Sequence, residues 1–128
     1  MICYPNLQMD SQKLVMVVDD AQDNIDTVIA ILSNMGVKTI SATSGDDCLA
    51  KVKAMDKKPD LILLDIMMPG TPVKKIVPKL RSIKVAYLSV VNPFEARREG
   101  LMDFDNIVAF IRKPFDAFDL EKKLKVLL

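Results

Sequence analysis

Five polar residues stand where short apolar segments of the sequence end, and their types suit one kind of chemistry. In chain order they are Asp19, Asp20, Asp65, Ser89 and Lys113. Carboxylates gathered in a partly dehydrated cleft repel one another unless a cation neutralises them, and Mg²⁺ prefers such oxygen ligands. The elements of the fold must therefore bring these residues together if they are to act as one site.

Short apolar runs predict five buried β-strands. Leu14 to Val18 is wholly apolar and ends at the Asp pair, as expected of a strand that is covered on both faces. The five runs cover residues 14–18, 37–42, 61–64, 85–90 and 107–111.

Apolar residues at helical spacing predict a helical segment after each strand. In the first helix they run from Ile25 to Met35, and Gly36 follows where a left-handed cap would stand. Ser44 and Asp47 resemble a capping arrangement at the start of the second. Pro78 lies inside the third, where we expect a kink or early break, because proline lacks an N–H and clashes with the preceding turn. The third helix is predicted to begin at Pro72. The fourth is predicted to run from Phe94 to Met102, and the fifth from Asp116 to Leu128.

Five strands that alternate with five helical segments predict an α/β fold, a doubly wound five-stranded parallel sheet of (βα)5 type. Ligands of such open sheets bind outside the carboxyl ends of the strands. The five polar residues are therefore predicted to meet at one edge of the sheet.

Phosphoryl chemistry follows from this placement. Asp19, Asp20 and Asp65 would hold Mg²⁺, and an oxygen of Asp65 could attack a phosphorus electrophile, since the metal offsets the repulsion between two anions. Lys113 would be a second cation for the phosphoryl oxygens. Ser89 would donate to a phosphoryl oxygen only after modification and so shift the fourth loop.

Composition narrows the alternatives. The 128 residues, 50% of them hydrophobic, suffice for one domain, and the formal net charge of +1 favours neither nucleic acid nor an anionic membrane. No apolar run approaches the roughly 20 residues of a membrane span. With no His, and with only Cys3 and Cys48, zinc sites and Ser-His-Asp chemistry are disfavoured, and a cytoplasmic location is expected.

The motifs VVDD (17–20), LILLDIMMPG (61–70), LS (88–89) and KPF (113–115) resemble, in this order and spacing, the receiver domain of response regulators. The resemblance extends from about Lys13 to the C-terminus. Among the members of the family that the sequence resembles are the single-domain chemotaxis regulators. It implies the flavodoxin-like receiver fold and a Mg²⁺-dependent phosphoacceptor in a two-component phosphorelay.

The resemblance also implies roles for single residues. Asp65 would be the phosphoacceptor, with Asp19, Asp20 and the backbone carbonyl of Met67 as metal ligands. Lys113 would be the phosphoryl partner, joined to Pro114 by a cis peptide. The family's switch residues correspond to Ser89 and Phe110.

Partners are likewise implied by the family. We expect a cognate histidine kinase or phosphotransfer protein, and an unidentified downstream protein. The family's usual docking face consists of the fourth helix, fifth strand and fifth helix, and a homodimer through this face is a further expectation. Residues 1–12 are interpreted as a poorly ordered leader and residues 13–128 as a stand-alone receiver domain that acts on other proteins.

Some positions depart from the family. MPGTPVKK (68–75) replaces the more frequent MPGMDG, Val90 replaces a small residue, and FDNI (104–107) stands where GADD-like turns are common. Met67 and Val91 are apolar where the family's side chains help to admit or exclude water. We therefore hypothesise slow self-dephosphorylation.

Three other functions would suit a chain of this fold. A nucleotide or flavin module would need a Gly-rich or hydroxyl-rich phosphate loop, whereas Asp19 and Asp20 would repel a phosphate without a metal. A haloacid-dehalogenase-like phosphatase needs a second Asp two places after the nucleophile, where Met67 stands. A pseudo-receiver that serves only as a protein-interaction module keeps the fold, and the intact carboxylates argue against it.

Overall fold

The computed structural model describes residues 12–128, so most of the predicted leader lies outside the described residues. Five parallel strands form one sheet in the order β2-β1-β3-β4-β5. The strands are β1 (Leu14–Val18), β2 (Lys38–Ala42), β3 (Leu61–Leu64), β4 (Val85–Ser89) and β5 (Ile107–Arg112). The predicted doubly wound parallel fold is confirmed.

Five helices connect and follow the strands. They are α1 (Gln22–Asn34), α2 (Gly45–Ala54), α3 (Val73–Ile76), α4 (Pro93–Arg98) and α5 (Ala117–Leu127). Within residues 12–128, no helix has both the length and the apolar character needed to cross a membrane.

Alternation along the strands divides the core into two layers. Val15, Val17 and their neighbours on one face pack with α1 and α5, while Met16 and Val18 on the other face pack with α2, α3 and α4. Successive side chains of a strand point to opposite faces, so an unbroken apolar run fits a sheet that is covered on both sides. This packing fixes the sheet edge at which the polar residues emerge.

Helix ends follow local sequence signals. Gly36 has φ 78° after α1, and the Ser44 side chain caps α2 by accepting a bond of 3.0 Å from the amide N of Asp47. Pro78 acts as predicted: α3 ends at Ile76 and gives way to a 3₁₀ turn, Val77–Leu80, because proline cannot donate the next helical hydrogen bond.

The predicted extent of α4 is wrong at its C-terminal end. The helix ends at Arg98 instead of reaching Met102. Gly100 adopts φ 78°, and the amide N of Leu101 turns back to the carbonyl O of Ala96 at 2.9 Å, which is the pattern of a glycine-terminated helix. The left-handed conformation of Gly100 therefore ends α4, whose last helical residue is Arg98.

Candidate functional site

Strand register sets the acidic residues side by side. Val18 of β1 lies opposite Leu64 of β3, so the residues that follow them, Asp19 and Asp65, leave the sheet at neighbouring positions. Carboxylate oxygens of Asp19, Asp20 and Asp65 all lie within 4.8 Å of one another. The predicted convergence of the three carboxylates at one edge therefore agrees with the geometry.

Asp19 is the more strongly hydrogen-bonded of the two buried carboxylates. The Lys113 ammonium donates to its Oδ2 at 2.8 Å, the backbone N of Ala21 to its Oδ1 at 2.9 Å, and Asn24 Nδ2 reaches it at 3.3 Å. Burial by itself raises the pKa of Asp19, but the hydrogen bonds and the Lys113 charge outweigh burial and hold this pKa below its ordinary value. Asp19 is therefore a fixed anion.

Asp65 is buried to a similar degree but is less well compensated. Its Oδ1 accepts a bond of 3.0 Å from the backbone N of Met67, and its Oδ2 lies 3.5 Å from Lys113 Nζ. Burial, with a smaller contribution from the Asp19 charge, raises the pKa of Asp65, and the Met67 amide and Lys113 only partly offset this. A carboxylate whose negative charge is poorly stabilised gains most from a cation or from modification.

Lys113 is held between these two carboxylates. It follows β5, its backbone N donates to the carbonyl O of Ser89 at 2.9 Å, and its side chain is only 14% exposed. The peptide that joins it to Pro114 is cis, as the family resemblance implies. Lys113 therefore reaches the acidic cluster from β5, an edge strand of the sheet.

Ser89 and Phe110 lie at different depths of the fold. Ser89 is fully buried at the end of β4, where its Oγ accepts a bond of 3.3 Å from the backbone N of Val91. The same hydroxyl is among the groups that lower the pKa of Asp65. Phe110 is half-buried in β5 and packs edge-on against Tyr87, with 6.1 Å between ring centroids. Ser89 adjoins the cluster, whereas Phe110 belongs to the α2–α4 side of the core.

Asn24 and Tyr87 were not predicted from the sequence to contribute. Asn24 lies in the first turn of α1 and reaches Asp19 from there, and only its place five residues after Asp19 could have indicated this contact. Tyr87 is fully buried in β4, and its hydroxyl donates to the carbonyl O of Leu101 at 2.7 Å. This bond joins the central sheet to the segment that follows α4.

Cys48 is a core residue and takes no part in the site. It is buried on the inner side of α2, and burial raises the pKa of its thiol to about 12. A thiol with so high a pKa is protonated at neutral pH and is a poor metal ligand. Cys3 lies outside the described residues.

The acidic cluster fits a divalent cation of oxygen-ligand preference. Three carboxylates and one ammonium leave an excess of two negative charges, and within residues 12–128 Lys113 is the one basic side chain that forms ion pairs with them. Asp20 is exposed and makes no ion pair within the same range, so its carboxylate is free to bind a metal. Hard cations take carboxylate, carbonyl and water oxygens, and these are the donors at this edge.

Comparison with known proteins identifies the family. Residues 15–125 match the response regulator receiver domain, and the chain belongs to this family. It is 27% identical over 123 residues to the alkaline phosphatase synthesis transcriptional regulatory protein PhoP of Bacillus subtilis, an alignment that covers 91% of this chain and 48% of that protein. The chain thus spans about half the length of the curated relatives it matches.

Solved structures agree with this assignment. The chemotaxis protein CheY4 of Vibrio cholerae superposes with a TM-score of 0.77 at 24% identity, covering 91% of this chain and 99% of that one. The response regulator TrrA of Thermotoga maritima, solved in complex with Mg²⁺ and BeF, gives a TM-score of 0.77 at 25% identity, covering 91% and 100%. The fold is that of a two-component receiver domain.

Proposed function

We propose that the protein is a phosphoacceptor switch of a two-component phosphorelay, in which Asp65 takes the phosphoryl group with the help of Mg²⁺. The observation that carries this proposal is the close grouping of three carboxylates around Lys113. Asp19, Asp20, Asp65 and the backbone carbonyl of Met67 would hold the metal. The Mg²⁺–BeF complex of the related TrrA supports the choice of cation. When bound, Mg²⁺ would offset repulsion between Asp65 and phosphoryl oxygens and stabilise the charge of the transition state.

The transfer itself needs one nucleophilic oxygen and two groups that stabilise charge. An ionised Oδ of Asp65 attacks the phosphorus of a phosphohistidine, forming a new O–P bond while the P–N bond breaks and its electron pair stays on the histidine. Lys113 Nζ, already within 3.5 Å of Asp65 Oδ2, neutralises charge on the phosphoryl oxygens. No proton has to leave Asp65, because the carboxylate attacks as an anion.

Ser89 would report the modification. Its Oγ accepts a bond from the backbone N of Val91, and a hydroxyl that accepts a bond can still donate its own proton to a phosphoryl oxygen. Movement of Ser89 toward that oxygen would draw the β4–α4 loop with it. Phe110, which shares a face of the sheet with Tyr87, would respond as the second switch residue.

Docking of partners is proposed for the surface formed by α4, β5 and α5. Each of these elements exposes a large apolar side chain, respectively Phe94, Val108 and Phe118. A cognate histidine kinase or phosphotransfer protein would supply the phosphoryl group, and a downstream protein or a second copy of the chain would bind this surface. A cytoplasmic location, expected from the family, belongs to the same proposal.

Slow self-dephosphorylation is also proposed. Met67 is 60% exposed beside Asp65, and Val91 is half-buried beyond Ser89, so neither position offers a polar group to orient a hydrolytic water. Met67→Asn combined with Val91→Gln should shorten the half-life of the phosphoprotein. If the parent protein lost its phosphoryl group within seconds and the double variant did so at the same rate, the idea would be wrong.

Intact mass spectrometry tests the proposed function. The protein is incubated with Mg²⁺ and acetyl phosphate, with EDTA in a parallel sample, and is compared with Asp65→Asn and with a control, Asp105→Asn, at an exposed acidic position. One phosphoryl adduct in the parent and control, absent with EDTA and in Asp65→Asn, is expected. A folded, Mg²⁺-binding protein that gains no adduct from acetyl phosphate or from phosphorylated histidine kinases would instead be an interaction module.

A further inference from the structure

A groove of about 500 Å³ lies between α2 and the 3₁₀ turn, away from the acidic cluster. Leu49, Val52 and Ile83 form an apolar floor, and three lysines stand around it: Lys53, Lys58 and Lys79, with Ser82 beside them. Lys79 belongs to the turn that Pro78 imposes on the chain, so the groove lies where α3 gives way to that turn. The residues that line the groove include none of the acidic cluster.

The charge around the groove is strongly one-sided. From Ile66 to Phe94 the sequence carries five basic residues and no acidic one, although the whole chain has a net charge of only +1. The three lysines of the groove, Lys53, Lys58 and Lys79, are exposed, and within residues 12–128 no carboxylate lies within ion-pair distance of them. Such an excess of unpaired positive charge attracts an anionic partner.

Lys58 is fixed at the rim of the groove. Its Nζ donates to the carbonyl O atoms of Val52 and Met55, both at 2.6 Å, and thereby caps the C-terminal end of α2. An ammonium group has three donors, so one remains for a ligand. A cation that is already held in place loses little side-chain entropy when it binds a carboxylate.

We propose that this groove, termed here the α2 lysine groove, binds an acidic segment of a partner protein in which apolar side chains lie among the carboxylates. The lysines would bind carboxylates, and the apolar floor would receive aliphatic side chains. The residues that line the groove include no aromatic and no arginine, the side chains on which nucleic-acid bases stack. Both the charge and the floor therefore favour a peptide.

Binding at the groove should be independent of phosphorylation. Lys58 precedes β3 and Ser82 precedes β4, whereas Asp65 and Ser89 stand at the opposite ends of the same two strands. A strand of four or five residues thus separates the two sites. Failure of the phosphoryl chemistry would not affect this proposal, and the reverse also holds.

Fluorescence anisotropy with a defined peptide tests the proposal. The probe is a short dye-labelled peptide in which leucines lie among glutamates, and the protein variants are Lys53→Glu/Lys79→Glu and a control of equal charge on α5, Lys122→Glu/Lys123→Glu. We expect saturable binding to the parent, weakened about tenfold or more in the groove variant only, since reversal of charge at a contact is unfavourable. Asp65→Asn should bind as the parent does.

Two further ligands test which kind of molecule the α2 lysine groove binds. A peptide with the same glutamates but serines in place of leucines should bind more weakly than the probe. Equal binding of the two peptides would remove the role of the apolar floor and overturn the proposal. Tighter binding of an oligothymidylate through the same lysines would assign the surface to nucleic acid, and no saturable binding of the leucine peptide would show that the groove is not a peptide site. Circular dichroism of each variant confirms that it is folded.

Discussion

Charged side chains are buried at one end of the β-sheet and exposed at the other. At the carboxyl ends, Asp19 and Asp65 are buried and share one ammonium group at 2.8 and 3.5 Å. At the amino ends, the lysines around the α2 lysine groove are exposed and have no carboxylate at ion-pair distance within residues 12–128. The buried carboxylates at the carboxyl ends therefore repel one another with little screening, whereas the exposed lysines at the amino ends are screened by water.

Burial therefore decides what each set of charges can do. Buried charges interact strongly with their neighbours, so each one affects the pKa values, the stability and the metal affinity of the cluster. Exposed charges interact weakly and are screened by salt, so they influence association with a partner more than they influence folding. Substitutions at the two ends should accordingly differ in size and in sign.

The largest effect is expected from Lys113→Met. Within residues 12–128, Lys113 is the one basic side chain paired with the acidic cluster, so without its ammonium the free energy of unfolding should fall by about 3 kcal/mol in EDTA. Urea denaturation measures this, and excess Mg²⁺ should restore part of the loss. The control is Lys125→Met, which removes an exposed partner of Glu121 and should change stability by less than about 0.5 kcal/mol. Equal losses of stability in Lys113→Met and Lys125→Met would contradict the view that buried charges affect folding more than exposed charges do.

A neutral buried hydrogen bond should give an intermediate effect. Tyr87→Phe keeps the ring but leaves the carbonyl O of Leu101 without its buried donor, and we expect a loss of about 1.5 kcal/mol in urea denaturation. Thr27→Val is the matched control, because the Thr27 hydroxyl donates to a backbone carbonyl at the exposed surface of α1. An unchanged unfolding midpoint in Tyr87→Phe would show that water replaces the hydroxyl.

Asp65→Asn should stabilise the metal-free protein by on the order of 1 kcal/mol, at the cost of the proposed function. Folding raises the pKa of Asp65, so the folded state holds this proton more tightly than the unfolded chain does. Stability from this group is present at low pH and is lost as pH rises through the folded pKa. The advantage of Asn over Asp should therefore grow from about pH 4 upward and then level off. Unfolding measured in EDTA at several pH values would show this, and an advantage that shrinks as pH rises would contradict it.

The smallest effect is expected at the exposed end. Lys53→Gln/Lys79→Gln removes two like charges from a basic surface and should raise the free energy of unfolding by no more than about 0.5 kcal/mol. Because screening weakens exposed charges, the gain should decline as NaCl is added. A loss above 1 kcal/mol would mean that these lysines stabilise the fold, which would weaken their assignment to a partner.

Local signals in the sequence were sufficient for most of the elements. The apolar runs predict all five strands to within one residue at each end, and Pro78 predicts the short α3, because proline removes one specific hydrogen bond. The end of α4 was missed because apolar spacing continues to Met102, while Gly100 closes the helix through a backbone conformation that spacing does not show. The position of the carboxylates was predictable because Asp19 and Asp65 each directly follow a strand and Asp20 is the next residue after Asp19.

Other parts of the site depend on contacts between residues that are distant in the chain. Asp19 and Lys113 are 94 residues apart. Burial raises the pKa of both Asp19 and Asp65, and only at Asp19 do Lys113, the Ala21 amide and Asn24 outweigh it. The Tyr87 bond to Leu101 likewise joins two segments whose packing no local pattern indicates.

The sequence by itself thus determined the alternation of strands and helices and the strand ends at which the acidic residues stand, since both depend on residue order along one segment. The tertiary structure alone decided which charges are buried together and which remain unpaired around a groove. The physical reason is that burial and ion pairing depend on distances across the sheet, and these distances are set only when the strands pair and the helices pack on them.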